Sequence, residues 1–283
     1  MIGVVRRIDL GPTITLNTGT PDADGVEWWG RVAAGWGSPP VRRAVTNRPG
    51  RGGAWAGAGL FGPRAVTLEG SMVAPTSAAL SLALGRIRAL LGALDTDTAL
   101  TVAEPVPKSL LVRPSDGSDA YEDTETIGRF TASLLAVDPT KYGPATVYTL
   151  ALPSGGTGGL TFPAIAPFVF TAGGGAGTAT VVNAGTDATR PVWEVTGPAT
   201  NPRLRNDSTG EVMELTTTLL AGDTLVVDHR AQTVTLAGVS RAATKTPSST
   251  WWSLAPGNTV VRYTAAAYNA TTRAYVTVAG AYP

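Results

Sequence analysis

His229 is the only imidazole in the 283-residue chain, so a general base of the serine-hydrolase kind, or a His-rich metal site, would have to be built on it. Asp228 stands beside it, but neighbouring side chains on a strand point to opposite faces, and no Gly-x-Ser-x-Gly elbow supplies a nucleophile. His229 reads instead as a surface residue of a tight hairpin, formed by residues 225–229 and 232–236 around Arg230-Ala231. The carboxylates that fall close together are Asp95 with Asp97, and Glu122 and Asp123 with Glu125. Glycosidic chemistry needs two carboxyl groups flanking one bond. The first pair follows a helix end and the second lies in a polar run, which is the setting of solvated charge. Gly57-Ala58-Gly59-Leu60-Phe61-Gly62 has the letters of the dinucleotide fingerprint, yet Pro63 and a strand follow where a helix N-terminus would have to receive the pyrophosphate. The Gly-rich runs at 155–159 and 173–177 lack the Lys-Ser/Thr ending of a phosphate loop. With no cysteine, disulfides and thiolate metal sites are excluded as well. No catalytic group, cofactor site or metal site follows from these residues, and the chain is expected not to be an enzyme.

Two features could recognise something without turning it over. Trp251 and Trp252 are adjacent; on a strand one faces the core and the other an edge, where an indole can stack on a sugar ring or meet a partner. The second feature is charge. The net charge is +1, with no whole-chain bias towards nucleic acid. Locally, however, Trp29 to Leu68 holds six Arg and no acid, while Asp116 to Glu125 holds five acids and no base. If the Arg-bearing loop of one copy (Arg42, Arg43, Arg48, Arg51) meets the acidic loop of the next (Asp116, Asp119, Glu122, Asp123, Glu125), the contact is heterologous and closes into a ring when the rotation allows. Two solvated loops of opposite sign would look the same in sequence, and acids lining a channel for DNA would also explain the acidic run.

The elements that must position these residues are mainly β. With 34 Gly and 21 Pro the chain is rich in turns. Residues 13–16 and 26–29 read as a hairpin about a Pro21-to-Gly25 turn. Residues 35–63, with eight Gly and four Pro, read as a long loop or an arm. A strand over 65–73 precedes one helix near 76–94, capped from Thr76 and striped by Leu80, Leu84, Ile87, Leu91 and Leu94. That stripe predicts a helix packed on the sheet of its own domain. Further strands are expected at 99–102, 109–112, 130–137 and 146–152. Beyond the Gly-rich linker 153–159 they are expected near 167–171, 178–183, 191–196, 211–217, 224–229, 232–237, 250–254, 258–264 and 273–279. The domains are therefore drawn as 1–152 and 160–283, the second a jelly-roll sandwich. No window reaches the roughly 20 apolar residues of a membrane span, and residues 1–7 lack the order of a signal peptide. The expectation is synthesis and folding in the cytoplasm. Arg outnumbers Lys by 19 to 3, which points to a GC-rich genome.

Val195-Thr196-Gly197-Pro198, then Asn201-Pro202, a reversal ending at Gly210, and Ala221-Gly222-Asp223 before an apolar strand form an order that resembles the carboxy-terminal domain of phage distal tail proteins. Trp251-Trp252-Ser253-Leu254 with Pro256-Gly257, and Asp138-Pro139-Thr140-Lys141-Tyr142-Gly143, extend the resemblance. It implies a virion protein of a long-tailed, siphovirus-type phage, of an actinobacterial host given the GC-rich signature, located at the distal end of the tail. It implies a β-rich, ring-forming first domain with one helix and a galectin-like sandwich. It also implies a hexameric ring joining the tail tube and tape-measure proteins to the hub and other minor tail proteins, with neither membrane insertion nor sequence-specific nucleic-acid binding. A carbohydrate-binding module attaching the virion to cell-wall glycan through Trp251 or Trp252 is the competing reading.

Overall fold

The computed structural model describes residues 6–152 and 177–283. The chain divides into two compact units, Met1–Gly143 and Pro144–Tyr282. The linker expected at 153–159, the strand expected at 167–171 and most of the run 173–177 lie outside the described residues.

The first unit contains β1 (Ile8–Leu10), β2 (Ile14–Leu16), β3 (Glu27–Ala34), β4 (Val41–Arg42), β5 (Val45–Asn47), β6 (Ala54–Ala56) and β7 (Leu60–Phe61). There follow β8 (Arg64–Val73), α1 (Ser77–Gly92), β9 (Thr98–Val102), β10 (Lys108–Pro114), β11 (Asp119–Glu122) and β12 (Ile127–Ala136). β13 (Lys141–Ala151) begins in this unit, where Tyr142 pairs with Ser109. One ladder runs β2-β1-β9-β10, and another runs β3-β8-β12-β11. β10 joins the two, because Arg113 and Pro114 pair with Leu135 and Leu134 of β12. The longest pairing sets β8 antiparallel to β12, from Ile127 opposite Val73 to Ala136 opposite Arg64. Period-two patterning places Val66, Leu68 and Met72 of β8, and Phe130, Ala132 and Leu134 of β12, in one core.

α1 covers that core. Thr76 caps it by accepting from the Ala79 N–H at 3.2 Å, and Leu80, Ala83, Leu84 and Ile87 are buried. Each large apolar side chain withdrawn from water contributes about 1.5–3 kcal/mol, which outweighs the roughly 1 kcal/mol that Gly85 and Gly92 each cost a helix. The helix stops before Leu94, which is 64% exposed, because the chain turns through Ala93 at the C-cap. The opening hairpin also pairs differently from expectation. β2 bonds to β1, with Ile8 opposite Leu16, and β3 bonds to β8. Gly11, at φ +64, turns the chain tightly enough for the nearer partner to be taken.

The second unit contains β14 (Thr178–Asn183), β15 (Val192–Thr196), β16 (Ala199–Thr200), β17 (Arg203–Asn206), β18 (Val212–Glu214) and β19 (Thr218–Leu219). It continues with β20 (Thr224–Asp228), β21 (Thr233–Leu236), β22 (Val239–Ser240), β23 (Gly257–Thr264), β24 (Ala267–Tyr268) and β25 (Arg273–Tyr282). β13 leads into a sheet ordered β13-β25-β15-β20-β21-β22, and a second sheet is ordered β14-β23-β17-β18. β16, β19 and β24 form a small third sheet. The core holds Trp193, Val195, Leu204, Met213, Val227, Trp252, Val261, Tyr263 and Val276. The strand expected at 250–254 is replaced by an irregular run in which Leu254 alone bridges, to Thr189. Among the described residues the protein is mainly β with one α-helix.

Candidate assembly surface

The Gly- and Pro-rich stretch expected as a loop or an arm is a two-stranded hairpin. β4 pairs with β7, Val41 opposite Phe61, and β5 pairs with β6, Thr46 opposite Trp55. The backbone bonds Gly57 N–H to Ala44 O and Gly62 N–H to Pro40 O close the gaps between these short ladders. The Gly-x-Gly-x-x-Gly letters fall on the returning strand, where no helix follows and no phosphate could meet helix N–H groups.

Arg42, Arg43, Arg48 and Arg51 are all exposed on this arm, and none has a carboxylate partner among the described residues. Arg48 lies 5.8 Å from the centroid of the Trp55 ring. Val41, Val45, Trp55, Leu60 and Phe61 are each 45–62% exposed. An isolated two-stranded hairpin is at best marginal in water, and a cluster of exposed large apolar side chains marks a surface that another surface covers.

The acidic run is also a hairpin. β11 pairs with the start of β12, so Tyr121 faces Arg129 and Asp119 faces Thr131. Asp116, Asp119, Glu122, Asp123 and Glu125 are exposed. The run contains no base of its own, yet the fold supplies one: Arg129 Nε donates to Asp123 at 2.8 Å, and this carboxylate holds the guanidinium above its ordinary value. Asp119 accepts from the Ala120 N–H. Asp116, Glu122 and Glu125 keep no ionic partner among the described residues. Arg88 of α1 ties the hairpin to the helix by donating twice to the Ala120 carbonyl, at 2.8 and 3.1 Å.

The other sequence candidates are structural. Asp97 pairs with Arg113, and that hydrogen bond, opposed by burial, holds its carboxyl below the ordinary range. His229 is not a surface residue: it is fully buried, its Nδ1 accepts the Trp252 N–H at 3.2 Å, and its ring centroid is 4.3 Å from that of Trp252 and 5.5 Å from that of Trp251. Burial, helped by Arg190, pushes its pKa down to about 3. The imidazole turns inward because Asp228 Oδ1 takes the N–H groups of Arg230 and Ala231, which bends the chain immediately after β20. Trp252 is 1% exposed and packs edge-on against Trp193, so it has no face for a sugar ring; Trp251 is half-buried against the same core. Among the described residues no three His, Cys, Asp or Glu side chains gather as a metal site, and no helix is long and apolar enough to cross a membrane.

Sequence reasoning missed the base of the arm. Arg64 leaves the arm as the first residue of β8 and is 1% exposed; Nη1 donates to the carbonyls of Gly35, Trp36 and Gly37, and Nε to that of Pro139. Its position opposite Ala136, in register with the inward residues Val66 and Leu68, was the available signal.

Residues 184–277 match the family described as siphovirus-type tail component, C-terminal domain. The matched residues lie within the second unit. The motifs from Val195 to Asp223 that carry the resemblance in sequence fall inside the matched segment of this chain. Its fold is similar to the crystal structure of the Dit protein (gp 19.1) of phage SPP1, described as a paradigm of the hub adsorption apparatus in phages infecting Gram-positive bacteria. The likeness has a TM-score of 0.63 at 16% identity and covers 99% of this chain and 100% of that one. It is also similar to chains of the phage P2 baseplate in its activated conformation. With Ca the TM-score is 0.53 at 8% identity over 96% and 98% of the two chains; with Sr it is 0.55 at 8% identity over 97% and 98%. These likenesses establish the fold of this chain. No curated protein matches it.

Proposed function

We propose that this chain is a structural protein of the tail tip that assembles with copies of itself into a ring, hexameric as the resemblance to distal tail proteins implies. In that place it would join the tail tube and tape-measure proteins to the hub and the other minor tail proteins. The observation that carries the reading is the arm: four arginines without carboxylate partners and five exposed large apolar side chains stand on a hairpin that cannot cover them itself. A second copy offers the complement, since Asp116, Glu122 and Glu125 are exposed without ionic partners among the described residues. Asp119 and Asp123 add charge to the same hairpin but are partly engaged within the subunit. Such a contact between unlike surfaces repeats around an axis, and its closure sets the copy number. The role asks for geometry and many repeated contacts, and for no turnover, so no enzymatic activity is assigned.

The test is assembly. Electron microscopy and light scattering of the purified chain should give rings of one size. Replacement of Arg42, Arg43, Arg48 and Arg51 together by Glu should shift the population to smaller species. Rings that persist unchanged after that replacement would remove the arm from the contact.

A further inference from the structure

The arm is useful to an assembly only if it leaves its unit in one direction, because a tethered hairpin that samples many directions spends association free energy on ordering. Nothing in β4–β7 holds that direction, since both ladders are internal to the hairpin. What holds it lies at the root. The chain enters the arm through Gly35, Trp36 and Gly37 and leaves it at Arg64. Gly35 has φ +83, and a Cβ there would come within 1.8 Å of the Ala65 carbonyl oxygen, so entering and leaving chains touch backbone to backbone.

Two buried cations close this junction. Arg64 Nη1 donates to the carbonyls of Gly35 at 3.1 Å and Trp36 at 3.0 Å and also to that of Gly37, while Nε donates to Pro139 O at 2.9 Å. Lys141, 7% exposed, donates from Nζ to the same Trp36 carbonyl at 2.9 Å and stands 5.5 Å from the Trp36 ring centroid. The Trp36 indole N–H donates to Glu104 at 2.7 Å, and Glu104 also receives Lys108 at 2.7 Å and Arg6 at 3.2 Å. Two cations buried on main-chain carbonyls, with no carboxylate bonded to either among the described residues, carry a desolvation cost. What they add is direction: the two N–H groups of one Nη1 cannot reach three successive carbonyls unless that turn holds one conformation.

We infer that Arg64 and Lys141 are positioning residues that fix the root of the hairpin arm and thereby the direction in which its arginines reach a second copy of the chain. The inference rests on the proposed ring contact for its purpose, but the fixing of the root can be measured apart from it.

The chain has no cysteine, so introduced cysteines can be labelled site-specifically. Nitroxides at Thr46→Cys on the arm and Ser81→Cys on α1, in full-length chain diluted with an excess of unlabelled chain, report the arm-to-body distance by pulsed electron resonance. The parent should give one narrow distribution. Arg64→Met and Lys141→Met should broaden it about twofold and raise the concentration at which rings form about tenfold, with far-UV circular dichroism unchanged. Lys141→Arg, which keeps a cation on the Trp36 carbonyl, should restore the narrow distribution; a merely space-filling role would favour Met over Arg. If Arg64→Met fails to fold, the Lys141 pair decides. A distribution equally narrow in the Met variants overturns the inference, and leaves the ring contact standing if the four-Arg reversal still abolishes rings. Broadening in the Met variants, with rings that survive the four-Arg reversal, upholds the root and discards the contact.

Discussion

His229 offers the sharpest test of how this fold treats charge. Its ordinary pKa of 6.5 falls to about 3 through burial, with Arg190 adding to the shift. Its Nε2 has no partner among the described residues, and Nδ1 is occupied as an acceptor by the Trp252 backbone N–H. The native state therefore refuses a proton that the unfolded chain accepts. The sign follows directly: a base whose folded pKa is depressed gives stability that is fully present above the unfolded value and is lost as pH falls towards the folded value. Between pH about 6.5 and about 3 the loss runs at roughly 1.4 kcal/mol per unit, so at pH 4.5 it amounts to about 3 kcal/mol relative to pH 7.5. The perturbation is His229→Asn, whose amide oxygen can take over the Nδ1 bond but does not titrate. At pH 7.5 the variant should be weaker by about 1–3 kcal/mol because ring packing against the two indoles is lost. Urea unfolding followed by tryptophan fluorescence at pH about 7.5, above that window, and at about 6.5, 5.5 and 4.5 should show that deficit close or reverse as pH falls. Other carboxylates titrate in both proteins and drop out of the difference. Proton NMR supplies an independent reading, since the only imidazole in the chain should show no titration down to pH about 4.5. Parallel stability curves, or a His229 resonance that titrates near its ordinary value, would refute the reasoning.

Other substitutions probe separate links. Tyr263→Phe removes a fully buried hydroxyl with no partner among the described residues, whose ionisation burial opposes; stability to denaturant should hold or rise by up to about 1 kcal/mol, and a clear loss would mean that the hydroxyl has a partner. Trp252→Ala, at 1% exposure between Trp193 and His229, should cost about 3–5 kcal/mol by denaturant titration; an unchanged midpoint accompanied by loss of glycan binding would restore the carbohydrate reading. Thr76→Ala removes the N-cap of α1 and should cost about 1 kcal/mol, read as a drop in thermal midpoint of the first unit.

What the sequence determined by itself is what short-range periodicity can carry. Alternation in residues 130–137 and 273–279 placed most of β12 and most of β25, and the leucine spacing from Leu80 to Leu91 placed α1 and its buried face. The order of turns from Val195 to Asp223 carried the likeness to the tail-component domain that residues 184–277 match. Partner choice was not legible in the same way. β2 pairs with β1 rather than with the Val26–Trp29 run, because either strand satisfies the same local pattern and only three-dimensional closure separates them. The burial of His229 depended on Asp228 bending the chain and on the irregular run that brings Trp251 and Trp252 to either side of the imidazole, three segments that sequence spacing does not connect. Residues 35–63 showed composition without period, so the arm's pairing lay below the threshold of any local signal. Its root, where Arg64 and Lys141 converge from positions 77 residues apart on the turn at Trp36, was decided by tertiary structure alone, since a cation can be buried only where the fold has already gathered the carbonyls that receive it.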